Sequence, residues 1–291
     1  MRNFDRFVGI DWTGAKSPVF TKAISVAVCE QDIVAPRPVQ GPWSRAKIAA
    51  WVKVLAGENK RTLIGIDCNF GYAEGIGRAQ FGDNYDYRDL WRAVDDAAAA
   101  QDNYFAGGYW QLYPAHFWSE GKKPAHIILS KRLTEIVCGE SGYGWPESPF
   151  KLLGPKQVGK GGLAGMRMAL DLKQRCGDDI AVWPFERDLS ATARVVMTEI
   201  FPRQFLRRVG HGNAKLRHVD ELNRALAALG SAAIPDMTGF TDHDGDALVS
   251  AAGLRFLCGR DKNVPTSIAT PPMMTDNHAK REGWIFGVGD K

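Results

Sequence analysis

Long apolar runs are missing from this sequence of 291 residues: stretches such as Ala97–Ala100 and Ile127–Leu129 fall far short of the ~20 residues that cross a bilayer. No membrane partner is expected. The opening Met1-Arg-Asn-Phe-Asp5 also lacks the apolar region of a signal peptide, so the expected location is the cytoplasm. Cysteine is sparse, with five scattered residues and no C-x-x-C pair, which argues against zinc ribbons and dithiol redox motifs and suggests reduced thiols. Charge of one sign is lacking too, since 37 Lys and Arg against 33 Asp and Glu leave only +4. That excess permits a polyanionic partner without demanding one. There is no fixed-period repeat and no Ser/Gly/Pro-rich linker, so residues 1–291 are expected to form a single domain.

What is present is ordinary globular material, 45% hydrophobic and 24% charged, enough to bury a sizeable core. Arg6-Phe-Val-Gly-Ile-Asp11 reads as a short apolar strand ending in a carboxylate, and Lys22–Glu30 as a second, β-branched strand followed by a turn at Gln31-Asp32. A third strand near Ile33–Ala35 would complete a meander that Pro36 and Pro38 keep at an edge. Ser44 caps an expected helix over Arg45–Leu55, and Arg61-Thr-Leu-Ile-Gly-Ile-Asp67 repeats the strand-then-carboxylate pattern. A meander, a crossover helix and a parallel strand would place Asp67 beside Asp11, with their strands ~4.8 Å apart.

An aromatic-rich insertion is expected over about 72–178, with helices near Leu90–Gln101, His126–Val137 and Leu163–Arg175. Ile180–Phe185 and Arg194–Phe201 read as strands, Lys215–Leu229 and Asp242–Leu257 as helices, and Trp284–Val288 as a last edge strand. The fold class is therefore α/β: a mixed five-stranded sheet, part antiparallel meander and part parallel, with flanking helices and a large helical insertion.

Four acids sit where strands or a helix deliver them to one end of such a sheet: Asp11, Asp67, Glu199 and Asp246. Each alone could be a strand-end cap or a salt-bridge partner. Gathered together they would repel one another and call for a hard divalent cation such as Mg²⁺ or Mn²⁺. His243 lies three residues before Asp246 and shares its helix face, while Asp242 reads as the N-cap and Asp244 as a solvated first-turn acid.

Taken in order, Phe7-Val-Gly-Ile-Asp11, Ile64-Gly-Ile-Asp67-x-x-Phe70-Gly71, Glu199-x-x-Pro202 and His243-x-x-Asp246-Ala247 resemble the ribonuclease H-like superfamily. More narrowly, the chain resembles domain-of-unknown-function family 429, described as ribonuclease H-like nucleases. The likeness extends to Gln157-Val-Gly-Lys-Gly161 and Glu282-Gly-Trp-Ile-Phe286. The resemblance implies a nuclease in which Asp11, Asp67 and Asp246 hold two divalent ions, and in which Glu199 or His243 orients or deprotonates the attacking water. The His243-x-x-Asp246 pair is similar to the helix motif of RuvC-type Holliday-junction resolvases.

Gly154-Pro-Lys-Gln-Val-Gly-Lys160-Gly161 fits the G-x-x-x-x-G-K part of a phosphate loop, but Gly161 stands where Ser or Thr would ligate Mg²⁺. Lys156 and Lys160 could still contact a phosphate, or simply be solvated. Arg203, Arg207 and Arg208 belong to the densest basic stretch, placed to meet a nucleic-acid backbone entering the acidic site or to form a solvated face. Trp110, Trp118, Tyr143 and Trp145 are candidates either for stacking on bases or for the core. Two other functions compete with the nuclease: a non-catalytic nucleic-acid or protein-binding module, and an ATP-dependent phosphotransferase of the actin and sugar-kinase type, whose first phosphate loop is similar to Gly9-Ile-Asp-Trp-Thr-Gly14.

Overall fold

The alternating strand segments build one mixed sheet. The computed structural model describes residues 4–16, 23–32, 35–154, 157–212, 214–234, 237–258 and 271–289. Its strands are β1 (Arg6–Asp11), β2 (Ser25–Glu30), β3 (Arg37–Pro38), β4 (Thr62–Ile66), β5 (Ile180–Trp183) and β6 (Val195–Glu199), in the order β3-β2-β1-β4-β6-β5. The first three form an antiparallel meander, and β4, β6 and β5 run parallel to β1. Six described strands thus replace the five expected, because the Ile180 and Arg194 segments both enter the sheet and β5 takes its outer edge.

Of the expected third strand, residues 33 and 34 lie outside the described residues. Pairing appears slightly later, at Arg37–Pro38, where an edge position tolerates a proline that cannot donate. The expected Trp284–Val288 strand is a correction: only a single bridge, Ile285 to Glu199, joins it to the end of β6.

Ten α-helices are described, among them the short α2 (Glu74–Phe81) and α4 (Gly107–Leu112) of the insertion. Helices α1 (Arg45–Gly57), α3 (Tyr87–Ala97) and α7 (Gly159–Cys176) pack with the insertion on one face of the sheet, against Val8, Ile10, Ile64, Ile66 and Met197. Helices α8 (Pro202–Arg208), α9 (Val219–Ala228) and α10 (Asp242–Cys258) cover the other face, against Phe7, Leu63, Ala181 and Val196. The period-two alternation of strand side chains produces this division. The helix expected over His126–Val137 is split into α5 (Ala125–Leu129) and α6 (Leu133–Glu140). The break is stabilised by Arg132, whose backbone N–H and guanidinium both donate to the Glu135 carboxylate. Among the described residues no helix is long and apolar enough to cross a membrane.

The chain places α10 on the sheet through two glycines. Gly9 and Gly65 are register partners on β1 and β4. A Cβ at Gly9 would stand 2.3 Å from the Ala247 carbonyl oxygen of α10, and one at Gly65 would stand 2.5 Å from Ile200 Cγ2 and 2.9 Å from Leu254 Cδ1 of α10. Two residues further along each strand, on the same face, come Asp11 and Asp67. The glycines let the helix approach, and the aspartates then meet its first turn.

Candidate active site

Asp11 closes β1 and Asp67 follows β4 immediately, with the Asp67 N–H donating to the Ile10 carbonyl at 3.0 Å. The expected juxtaposition of the two acids is therefore present. Asp246, on the second turn of α10, completes a group of three carboxylates. Asp11 is buried, whereas Asp67 and Asp246 are half-buried and line a cleft of about 830 Å³.

The electrostatics follow from this crowding. Burial raises the Asp67 carboxyl well above its ordinary value, and the charges of Asp11, Asp246 and Glu199 raise it further. Burial, and then the Asp11 charge, push Asp246 up to about 7 against weaker pull from Lys215 and Arg203. Asp11 is also raised by burial, although His243 opposes the shift. His243 Nδ1 lies 2.5 Å from Asp11 Oδ2, and this contact raises the imidazole and favours its charged form. Among the described residues, the Asp67 and Asp246 carboxylates make no ion pair or hydrogen bond.

The first turn of α10 differs from the sequence expectation in one respect. Thr241, not Asp242, caps the helix: its Oγ1 accepts from the Asp244 N–H while the Asp244 carboxylate accepts from the Thr241 N–H. Asp244 also accepts from Ser25 Oγ at 2.7 Å, fastening the helix to β2. Asp242 turns away to Lys215. These bonds fix the rotation of α10, leaving His243 and Asp246 directed at β1.

Glu199 requires a different assignment from the one the sequence suggests. It pairs in register with Ile66, so it projects to the face opposite Asp67. There its two oxygens accept from Arg132 Nη1 and Nη2 at 2.8 and 2.5 Å. Arg132 also holds Glu135 and donates to the Glu282 carbonyl at 2.9 Å. Glu199 is thus neutralised in a buried ion cluster at the floor of the cleft. It positions the floor and does not complete the carboxylate trio.

The candidate phosphate contacts also separate. Arg203, Arg207 and Lys160 line the cleft. Lys156 lies outside the described residues. Arg208 is a correction: its guanidinium donates to the Gly287 carbonyl and covers the Tyr143 ring at 4.4 Å, away from the cleft lining. The glycine-rich segment before Leu163 is the first turn of α7, and its glycines serve close packing. A Cβ at Gly14 would stand 2.1 Å from the Lys160 carbonyl carbon, and one at Gly162 would stand 2.0 Å from Asn69 Oδ1. Trp12 Nε1 donates to the Gly161 carbonyl at 3.1 Å, so the chain leaving β1 is clamped against this helix start.

Sequence reasoning does not find Arg132, Glu135 or Asn69, which contribute to the cleft wall. Of these, Arg132 takes partners from far along the chain, Glu199 and the Glu282 carbonyl, whereas Glu135 is held by Arg132 three residues before it and Asn69 donates to the Gly71 carbonyl. As the side chains stand, no three His, Cys, Asp or Glu among the described residues form a group that could hold a metal ion. Compared with family models, with curated proteins and with solved structures, the chain matches none.

Proposed function

We propose that the cleft hydrolyses phosphodiester bonds with the help of a divalent cation, on a ribonuclease H-like scaffold. The observation that carries this reading is the meeting of Asp11, Asp67 and Asp246, from three separate parts of the chain, without a neutralising Lys or Arg in contact with the last two. Such a trio is costly to ionise in the absence of a cation, as the upward shifts of Asp67 and Asp246 express. The reading rests on charge and donor type rather than on a formed coordination sphere. Three carboxylates are hard-oxygen donors of the kind Mg²⁺ and Mn²⁺ prefer. The order of sheet elements supports the scaffold: an antiparallel meander, then parallel strands, with the first acid on the central strand.

In this reading Asp11, Asp67 and Asp246 hold the ion, which would supply an activated water and offset charge on the phosphate. The remaining steps belong to the chain's own side chains. His243 holds Asp11 Oδ2 through Nδ1 and is placed to exchange a proton with that carboxylate. Arg203, Arg207 and Lys160, which line the same cleft, contact the phosphate backbone. The Arg132 cluster keeps the floor rigid.

The test is cleavage of end-labelled oligonucleotides in Mg²⁺, in Mn²⁺ and in EDTA. Cleavage in either cation, lost in EDTA and in the Asp11→Asn and Asp246→Asn variants, is the expected result. Oligonucleotide binding without any cation-dependent product would instead leave a binding module on this scaffold.

A further inference from the structure

Trp145 stands apart from the other aromatic side chains. It is 62% exposed, and among described residues it is the one aromatic in the set of exposed large hydrophobics. Trp110 and Trp118 are half-buried and Tyr143 is buried. Exposure of a tryptophan forfeits ~2 kcal/mol or more of burial energy, so its placement needs an explanation.

The ring is held in place. It lies on Gly139 of α6, where an added Cβ would meet Cε3 at 2.2 Å and Cζ3 at 2.3 Å. A glycine inside a helix costs about 1 kcal/mol relative to alanine. Here it makes the bed for the indole. Gly144, at φ +106°, turns the chain so that the backbone lies on Phe201 and Arg203, bringing Trp145 into the lining of the cleft. The Lys131 ammonium is 5.2 Å from the ring centroid.

From this geometry we infer that Trp145 is a stacking platform for an unpaired base, and that the cleft takes single-stranded nucleic acid. A double helix buries its base faces in its own stack, so a fixed indole can engage only a base that is unpaired or flipped out. Arg203, Arg207 and Lys215 line the same cleft and complement the phosphates on either side of that base. The volume of about 830 Å³ suits a strand segment of nucleotide dimensions. This inference deepens the hydrolase reading by naming its substrate class, and it rests on that reading only for the cleft being the nucleic-acid site.

Fluorescence anisotropy in Ca²⁺ with labelled oligo(dT), oligo(U) and a duplex of equal length tests it, the two single strands separating a DNA from an RNA source of the base. Trp145→Ala is expected to weaken single-strand binding by about tenfold, the scale of one lost base stack, with an unchanged slope of affinity against salt. Trp145→Phe should restore most of that loss, and duplex binding should be weaker than single-strand binding and unaffected by either variant. Thermal unfolding of each variant establishes that the fold is retained. Single-strand affinity within about twofold of wild type in Trp145→Ala, preference for the duplex, or no binding of either single strand by the wild-type protein would overturn the inference. The two readings fail separately: Trp145-dependent binding without cation-dependent cleavage sinks the hydrolase alone, whereas cleavage that Trp145→Ala leaves unchanged in KM sinks the platform alone.

Discussion

Asp246 shows most directly how a carboxylate without an ion partner among the described residues is kept at a cost to the fold. Its folded pKa of about 7 lies above the ordinary 3.8, so the native state binds the proton more tightly than the unfolded chain does. The stability this group contributes is complete below pH 4 and is lost as pH rises toward 7. Asp246→Asn removes that loss. Relative to wild type without divalent cation, the variant should be nearly equal in stability at pH 4 and more stable by roughly 2 kcal/mol at pH 8, read by denaturant titration at each pH and allowing for solvent screening. An equal gap at both pH values would show that Asp246 does not titrate in this way. Mn²⁺ should raise the melting temperature of wild type and leave that of Asp11→Asn unmoved, because a ligand stabilises only the state that binds it.

The strand and helix that meet at this site are matched by two small residues. Gly9-Ile-Asp11 and Gly65-Ile-Asp67 are the same pattern on adjacent parallel strands; the α10 backbone rests on Gly9, and Gly65 makes room for Ile200 and for Leu254 of α10. Valine at Gly9 would force its side chain into the Ala247 carbonyl, only 2.3 Å from the first added carbon. Gly9→Val should therefore cost about 3 kcal/mol or more, since overpacking against helix backbone has no flexible group to yield. It should also lower activity beyond its effect on the folded fraction, by lifting His243 and Asp246 away from Asp11. Thermal melts combined with a titration of active sites check both parts. At this scale the sequence is legible, because apolar alternation, a terminal acid and a helix start are local signals. The break between α5 and α6 rests on the local Arg132–Glu135 cap, but nothing local shows that the same arginine reaches Glu199, sixty-seven positions away.

Across the whole molecule, Arg132 ties the insertion to β6 through Glu199 and to the C-terminal segment through the Glu282 carbonyl. Glu282 in turn accepts from the backbone N–H groups of Glu74 and Leu133 at 2.6 and 2.9 Å. Replacing the arginine by methionine strands two carboxylates in the interior, and Arg132→Met should destabilise the protein by about 3–5 kcal/mol at pH 8. The loss should shrink near pH 5, because the Glu135 carboxyl, already raised to about 7 by burial even with its partner, would take up a proton and shed its charge. A penalty that is constant from pH 5 to pH 8 would argue against an unpaired carboxylate as its source.

Much that bears on function was settled along the chain. Two short strands each end in aspartate, and a parallel pair can only set those ends abreast, so Asp11 and Asp67 meet because main-chain pairing leaves them no other place. His243 and Asp246 share a helix face by the same kind of local periodicity. Folding alone decided that Glu199, one register step away, faces the opposite layer and is neutralised there, that Arg208 braces Tyr143, and that Trp145 is left in the open on a glycine. Side-chain direction at a strand end and the choice of ion partner depend on which distant residue arrives in the same layer. That is a property of packing, which no stretch of ten or twenty residues contains.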